Sequence, residues 1–187
     1  AKAGSVVVLD VLTGEVLALV NYPSYNPDKR RNLSGEQLRN RAITDTFEPG
    51  SVMKTITMAA LADQGKITSD SKLTVPSAMV IDKFPIGDYW QHGTLKLTAA
   101  GVIAKSSNLG TIVAAKQMSD STFYRYLRAF GFGSKSGIDL PEETVGLVAP
   151  AREWTKAKHA TTSFGQGVSV NALQMVRAVG AIANGGV

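Results

Sequence analysis

Glu48-Pro49-Gly50-Ser51-Val52-Met53-Lys54-Thr55 is the stretch on which the reading of this chain turns. Pro49 and Gly50 punctuate the backbone. From Ser51 to Gln64 the residues read as a helix, with Val52, Ile56, Ala59, Ala60 and Ala62 as candidate buried positions and Gly65 as its stop. On a helix, positions i and i+3 share a face, so Lys54 stands about one turn from the Ser51 hydroxyl. A serine hydroxyl is a poor nucleophile unless a base takes its proton. Lysine serves only where desolvation or neighbouring cations lower its proton affinity. The positive end of the helix dipole and its free N–H groups favour a developing oxyanion at the same place.

Spacing alone favours a second account, a helix-capping Ser51 with a solvated Lys54, and context must decide between them. Ser69 and Lys72 repeat the spacing in a polar segment after the helix stop, where a lysine stays hydrated. A nucleophile elbow is excluded because Pro49 and Met53 occupy its glycine positions. A phosphate loop is excluded because Met53 precedes the lysine. Ser106-Ser107-Asn108 supplies a hydroxyl and an amide in a turn that follows an apolar helix, suited to relaying a proton and orienting a lysine or a substrate amide. The same pattern at Ser24 and Asn26 lies in a proline loop. At Ser169 and Asn171 it is explained by capping.

Outward from these motifs the chain reads as α+β, with helices outnumbering strands. Ser5 to Leu9 and Glu15 to Val20 form a hairpin around the Thr13-Gly14 turn. Pro23 and Pro27 break the following loop, and a polar helix is expected around residues 36–41. Further helices are expected over 97–104, 109–118, 122–130 and 171–184, the last capped by Asn171 and stopped by Gly185. Residues 131–141 form a glycine-rich connector.

The 187 residues are 44% hydrophobic, enough for the core of one domain. Twenty basic and fifteen acidic side chains are scattered with no basic arm or stripe, which argues against nucleic acid as a partner. With no cysteine there is no disulfide or thiol chemistry, and the isolated His92 and His159 read as surface or cap residues and not as metal ligands. No cofactor is expected. No apolar run reaches the ~20 residues of a membrane helix. The start at Ala1-Lys2-Ala3-Gly4 and the stop at Gly185-Gly186-Val187 read as cuts from a longer chain.

Taken in order, several segments resemble the class B penicillin-binding proteins. They are Asn40-Arg41-Ala42-Ile43-Thr44-Asp45 running into Phe47-Glu48-Pro49-Gly50-Ser51, Lys105-Ser106-Ser107-Asn108, Phe130-Gly131-Phe132-Gly133, Gly137-Ile138-Asp139-Leu140-Pro141 and Ser163-Phe164-Gly165-Gln166-Gly167. The likeness covers nearly the whole chain. It is greatest to the septal, cell-division branch, with the elongation branch as its rival. It implies a transpeptidase or serine β-lactamase-like fold, helices on an antiparallel sheet, with residues 1–187 forming a partial transpeptidase domain incomplete at its C-terminal side.

It also implies roles. Ser51 takes the acyl group of a D-Ala-D-Ala stem peptide, Lys54 accepts its proton, Ser106 and Asn108 complete the network, and the Ser51 N–H is one oxyanion donor. Peptidoglycan stem peptides and β-lactam antibiotics are the implied ligands, and a septal glycan polymerase is the implied partner. The implied setting is the inner membrane, with the domain on the periplasmic side. The third motif of that family, Lys-Thr-Gly or Lys-Ser-Gly on a strand, has no counterpart here. Lys135-Ser136-Gly137 matches the letters but lies in the glycine-rich connector. A D,D-carboxypeptidase or β-lactamase on the same scaffold, and a non-catalytic binding module, are the alternatives.

Overall fold

The computed structural model describes residues 2–186. In chain order its elements are β1 (Gly4–Leu9), β2 (Val16–Tyr22), α1 (Gly35–Leu38), α2 (Arg41–Thr44), α3 (Met53–Asp63), β3 (Lys72–Val75), β4 (Met79–Ile81), β5 (Phe84–Ile86), β6 (Leu95–Thr98), α4 (Ala99–Ala104), α5 (Asn108–Ala115), α6 (Asp120–Ala129), α7 (Lys156–Ser163) and α8 (Ala172–Ala183), with single 3-10 turns at Gly50–Val52 and Ala151–Glu153. The strands pair as three antiparallel ribbons, β1 with β2, β3 with β6 and β4 with β5. The chain folds as two units.

The first unit comprises residues 2–47, 130–147 and 170–186. Its hairpin pairs Gly4 with Tyr22 through Leu9 with Val16, with a register shift between Val8 and Leu9. The β-branched run Val6-Val7-Val8 suits a pleated surface, and Gly14 takes the positive φ that the turn requires. Helices α2 and α8 pack on this ribbon. Asn171 caps α8 in a reciprocal box: its side chain accepts from the Gln174 N–H at 2.8 Å, and the Gln174 side chain accepts from the Asn171 N–H at 2.9 Å. Both side chains are buried and spend their amide hydrogens on loop carbonyls, Asn171 on Thr144 at 2.9 Å and Gln174 on Ser134 and Val145 at 2.8 and 3.0 Å. The connector through 137 is therefore tied to α8 by polar groups that satisfy one another.

The second unit comprises residues 48–129 and 148–169. Met53, Ile56, Ala60 and Leu61 of α3, Leu109 and Ile112 of α5, and Phe123 and Leu127 of α6 are fully or almost fully buried. Each large apolar side chain so buried contributes about 1.5–3 kcal/mol. Helix α5 crosses α4 at Gly110, where a Cβ would stand 2.6 Å from a Val102 methyl, so only glycine fits. The β4–β5 ribbon lays Met79, Ile81 and Ile86 against Ile112, Ala160 and Phe164.

Four readings are corrected. Residues 50–52 form a 3-10 turn and the α-helix starts only at Met53, which rotates Val52 outward to 48% exposure; Ala62 is also exposed and Ala59 half-buried. Leu97 and Thr98 end strand β6, and Thr98 caps α4 by accepting from the Gly101 N–H at 3.0 Å. The polar helix near 36–41 is two single turns, α1 and α2, parted at Arg39 and Asn40. His92 and His159 are not surface residues: their side chains are 5% and 12% exposed, and each faces a carboxylate, Asp88 and Asp120. The hairpin, α5, α6 and α8 lie within three residues of their expected bounds.

Replacing Asn171 by Ala removes a cap and leaves loop carbonyls without donors, and is expected to cost about 2 kcal/mol. A urea midpoint that does not move would overturn the capping account.

Candidate active site

Every side chain of the candidate site belongs to the second unit. Ser51 is exposed on the 3-10 turn, and Lys54 sits in the first turn of α3 with only 2% of its surface exposed. The second Ser-x-x-Lys lacks this contrast, because Ser69 and Lys72 are both exposed.

Burial strips the Lys54 amine of water, so the chain must supply its acceptors. It does so from the turn between α4 and α5. Lys54 Nζ donates to the Ser106 carbonyl at 2.5 Å and to the Ser106 hydroxyl at 3.0 Å. Ser106 adopts φ of 51°, a left-handed conformation uncommon for a residue with a Cβ, and the turn thereby aims both its oxygens at one amine. Burial holds Lys54 below the ordinary lysine range, and the Asp88 carboxylate pulls it partly back up. The amine is thus poised to give up and take back a proton more readily than a solvated lysine.

Of the four expected site residues, the structure joins Lys54 and Ser106 directly and sets Ser51 one turn ahead of the amine. Asn108 stands at the start of α5, two residues beyond Ser106, where its side-chain amide donates to the Gly87 carbonyl at 3.1 Å. Lys135-Ser136-Gly137 lies outside any strand, where the Ser136 N–H donates to the Glu143 carboxylate at 2.8 and 3.0 Å.

Two further groups brace this constellation and escaped the sequence reading. Asp88 has a fully buried carboxylate that accepts from the Ser107 hydroxyl at 2.6 Å and from the Leu109 N–H at 3.1 Å, gripping the turn from beneath. A lone aspartate after Gly87 carries no sequence signal that separates it from a surface residue. The other brace is Gly165, whose segment was noted only for its resemblance. The Gly50 N–H donates to the Gly165 carbonyl at 3.0 Å, and a Cβ on Gly165 would lie 2.1 Å from the Gly50 oxygen. Gly167 donates its N–H to Glu48 at 2.6 Å, so the loop after α7 holds the backbone just ahead of Ser51 at two points. Thr57 adds a third tie, donating to the Ser163 carbonyl at 2.8 Å.

An α+β chain with an exposed serine opening a helix, a buried lysine one turn on and a Ser-x-Asn turn holding that lysine falls in the serine–lysine class of acyl-transfer folds. Residues 4–187 match the family model described as the penicillin binding protein transpeptidase domain, and the chain belongs to that family. It is 40% identical over 184 residues to penicillin-binding protein PbpB of Mycobacterium tuberculosis, covering 98% of this chain and 27% of that protein. To the peptidoglycan D,D-transpeptidase FtsI of Escherichia coli it is 38% identical over 188 residues, covering all of this chain and 31% of that protein. The crystal structure of penicillin-binding protein 3 from Mycobacterium tuberculosis complexed with aztreonam superposes with a TM-score of 0.93 at 39% identity, over 98% of this chain and 41% of that one. The chain therefore spans about a third or less of the length of these two curated relatives, and the fold is that of penicillin-binding transpeptidase domains.

Two outcomes follow from the geometry. Between the lowered Lys54 midpoint and the ordinary lysine value of 10.5, an unfolded chain binds the proton that the folded chain has lost, so Lys54 makes stability rise with pH across that window. The melting-temperature advantage of Lys54→Met over the unaltered chain is accordingly expected to shrink as pH is raised toward 10; an advantage constant with pH would mean the amine is not desolvated. Gly165→Ala is expected to cost at least about 2 kcal/mol through the clash and its positive φ. Gly185→Ala, at positive φ but in open space, is expected to cost about 1 kcal/mol. Equal urea midpoints for the two variants would overturn the close approach.

Proposed function

We propose that this chain carries the acylation machinery of a peptidoglycan D,D-transpeptidase. The observation that supports it most is the buried Lys54 amine, held by both oxygens of Ser106 one turn from an exposed serine. In this reading Ser51 Oγ attacks the carbonyl carbon of the penultimate D-Ala of a stem peptide while Lys54, in its free-base form, takes the hydroxyl proton. The C–N bond to the terminal D-Ala then breaks, and the leaving amine recovers a proton from Lys54 by way of the Ser106 hydroxyl. The Ser51 N–H, at the start of a helical segment, is one donor to the oxyanion. Asn108 presents its carbonyl oxygen toward the substrate while its amide hydrogen anchors to Gly87. An amine of a second stem peptide resolves the ester and closes the cross-link. β-Lactams mimic the donor and stop at the ester, in keeping with a relative whose structure holds aztreonam.

The proposal extends to setting. Likeness to FtsI and PbpB supports work in septal wall synthesis. The catalytic domain on the periplasmic side of the inner membrane and a glycan polymerase as partner complete the proposal, as the family resemblance implies. Among the described residues no helix is long and apolar enough to cross a membrane.

The experiment is labelling of the intact protein with a fluorescent penicillin, read by gel and by mass. A single adduct is expected, absent in Ser51→Ala, with the rate of its formation reduced about 10²- to 10⁴-fold in Lys54→Met. Undiminished labelling of Ser51→Ala would sink the assignment.

A further inference from the structure

We propose that His92 and Asp88 hold one proton between them as a buried, charge-neutral pair, and that His92 is a positioning residue which keeps the charge of Asp88 from reaching Lys54. The inference rests on the function proposed above for its kinetic consequence, but the pair itself stands on proton counting.

His92 lies in the loop between β5 and β6, and its ring is almost wholly covered. Its Nδ1 is 2.6 Å from the Gly93 carbonyl, a group that can only accept, so Nδ1 carries a hydrogen. Its Nε2 is 3.1 Å from Asp88 Oδ2. That oxygen already receives the Ser107 hydroxyl hydrogen, because Ser107 Oγ itself accepts from the Gly110 N–H at 2.8 Å and so points its own hydrogen at Asp88. Asp88 Oδ1 is taken by the Leu109 N–H. With Nδ1 protonated, a neutral imidazole would turn a bare Nε2 lone pair toward a carboxylate oxygen. Contact there is favourable with a second proton on Nε2, giving imidazolium against carboxylate. The Trp90 ring stacks on His92 at 5.1 Å between centroids, inclined by 35°, and Tyr89 meets Trp90 edge-on at 4.8 Å. An indole face is good company for a cation and keeps water from it.

The groups facing this pair are the Ser107 hydroxyl and Leu109 N–H from α5 and its cap, Trp90 from the loop, and the Lys54 amine from α3. Lys54 is where the pair acts. An uncompensated Asp88 favours the ammonium, which is useless as a base, whereas burial favours the free amine. By cancelling the carboxylate, His92 lets burial dominate while Asp88 goes on holding the Ser106–Asn108 turn through neutral hydrogen-bond donors.

The test compares acylation by a fluorescent penicillin across pH in the intact protein and in His92→Gln, which retains an N–H for Asp88 but no charge. The rising limb of the profile is expected to move to higher pH by roughly one unit. Adding Asp88→Asn to that variant is expected to bring it back. A uniform loss at every pH, or a double variant that stays displaced, would overturn the charge role. The ¹⁵N spectrum of histidine-labelled unaltered protein, with His92 assigned by the Gln variant, reads the pair without any acylation. Two protonated ring nitrogens are expected, and a neutral ring with bare Nε2 overturns the proposal. If Ser51 proves not to be the labelled residue, the functional reading falls while the spectrum still decides the pair.

Discussion

Everything distinctive in the second unit depends on putting a lysine amine where water cannot reach it. A long cationic side chain normally keeps its head in solvent, and burying one is tolerated only where acceptors meet it. Here both acceptors come from one residue, Ser106, and presenting them demands a left-handed backbone at a non-glycine position. That strained turn in turn needs Asp88 beneath it and the capped start of α5 behind it. The chain of dependence runs outward from the amine, through polar groups that are each satisfied by the next.

Sequence made the candidate site legible because its signals are local. Ser51 and Lys54 are three residues apart, Ser106 and Asn108 two, and their helices announce themselves by apolar periodicity and by caps such as Asn171. The same locality explains the errors. Whether a helix opens with a 3-10 turn depends on what holds its first residues, and here that is the Gly165 loop, far along the chain, so the outward swing of Val52 could not be read from its neighbours. The short ribbons β3–β6 and β4–β5 drew no strand reading, since strands of three or four residues carry too few alternations to register a period.

The histidines make the same point from the side of electrostatics. An isolated histidine in a sequence is most often at a surface, yet both of these sit against carboxylates, His92 against Asp88 of its own loop and His159 against Asp120 of α6, with aromatic rings beside them. His159 bonds Asp120 at 2.5 Å and the Ala115 carbonyl at 3.1 Å, and Phe123 and Trp154 flank it. Asp120 lies 39 residues from His159, and a contact of that kind becomes visible only when the folded neighbours are known.

The contact between Gly50 and Gly165 also bears on time. The turn that carries Ser51 is not self-supporting: its backbone is gauged against a loop that follows α7, close enough to forbid a single methyl group. A ribosome that has finished Ser51 has yet to make the residues that will hold it, and a pairing so remote in sequence forms only against the entropy of closing a long loop. The setting of Ser51 therefore takes shape only as the unit closes around it.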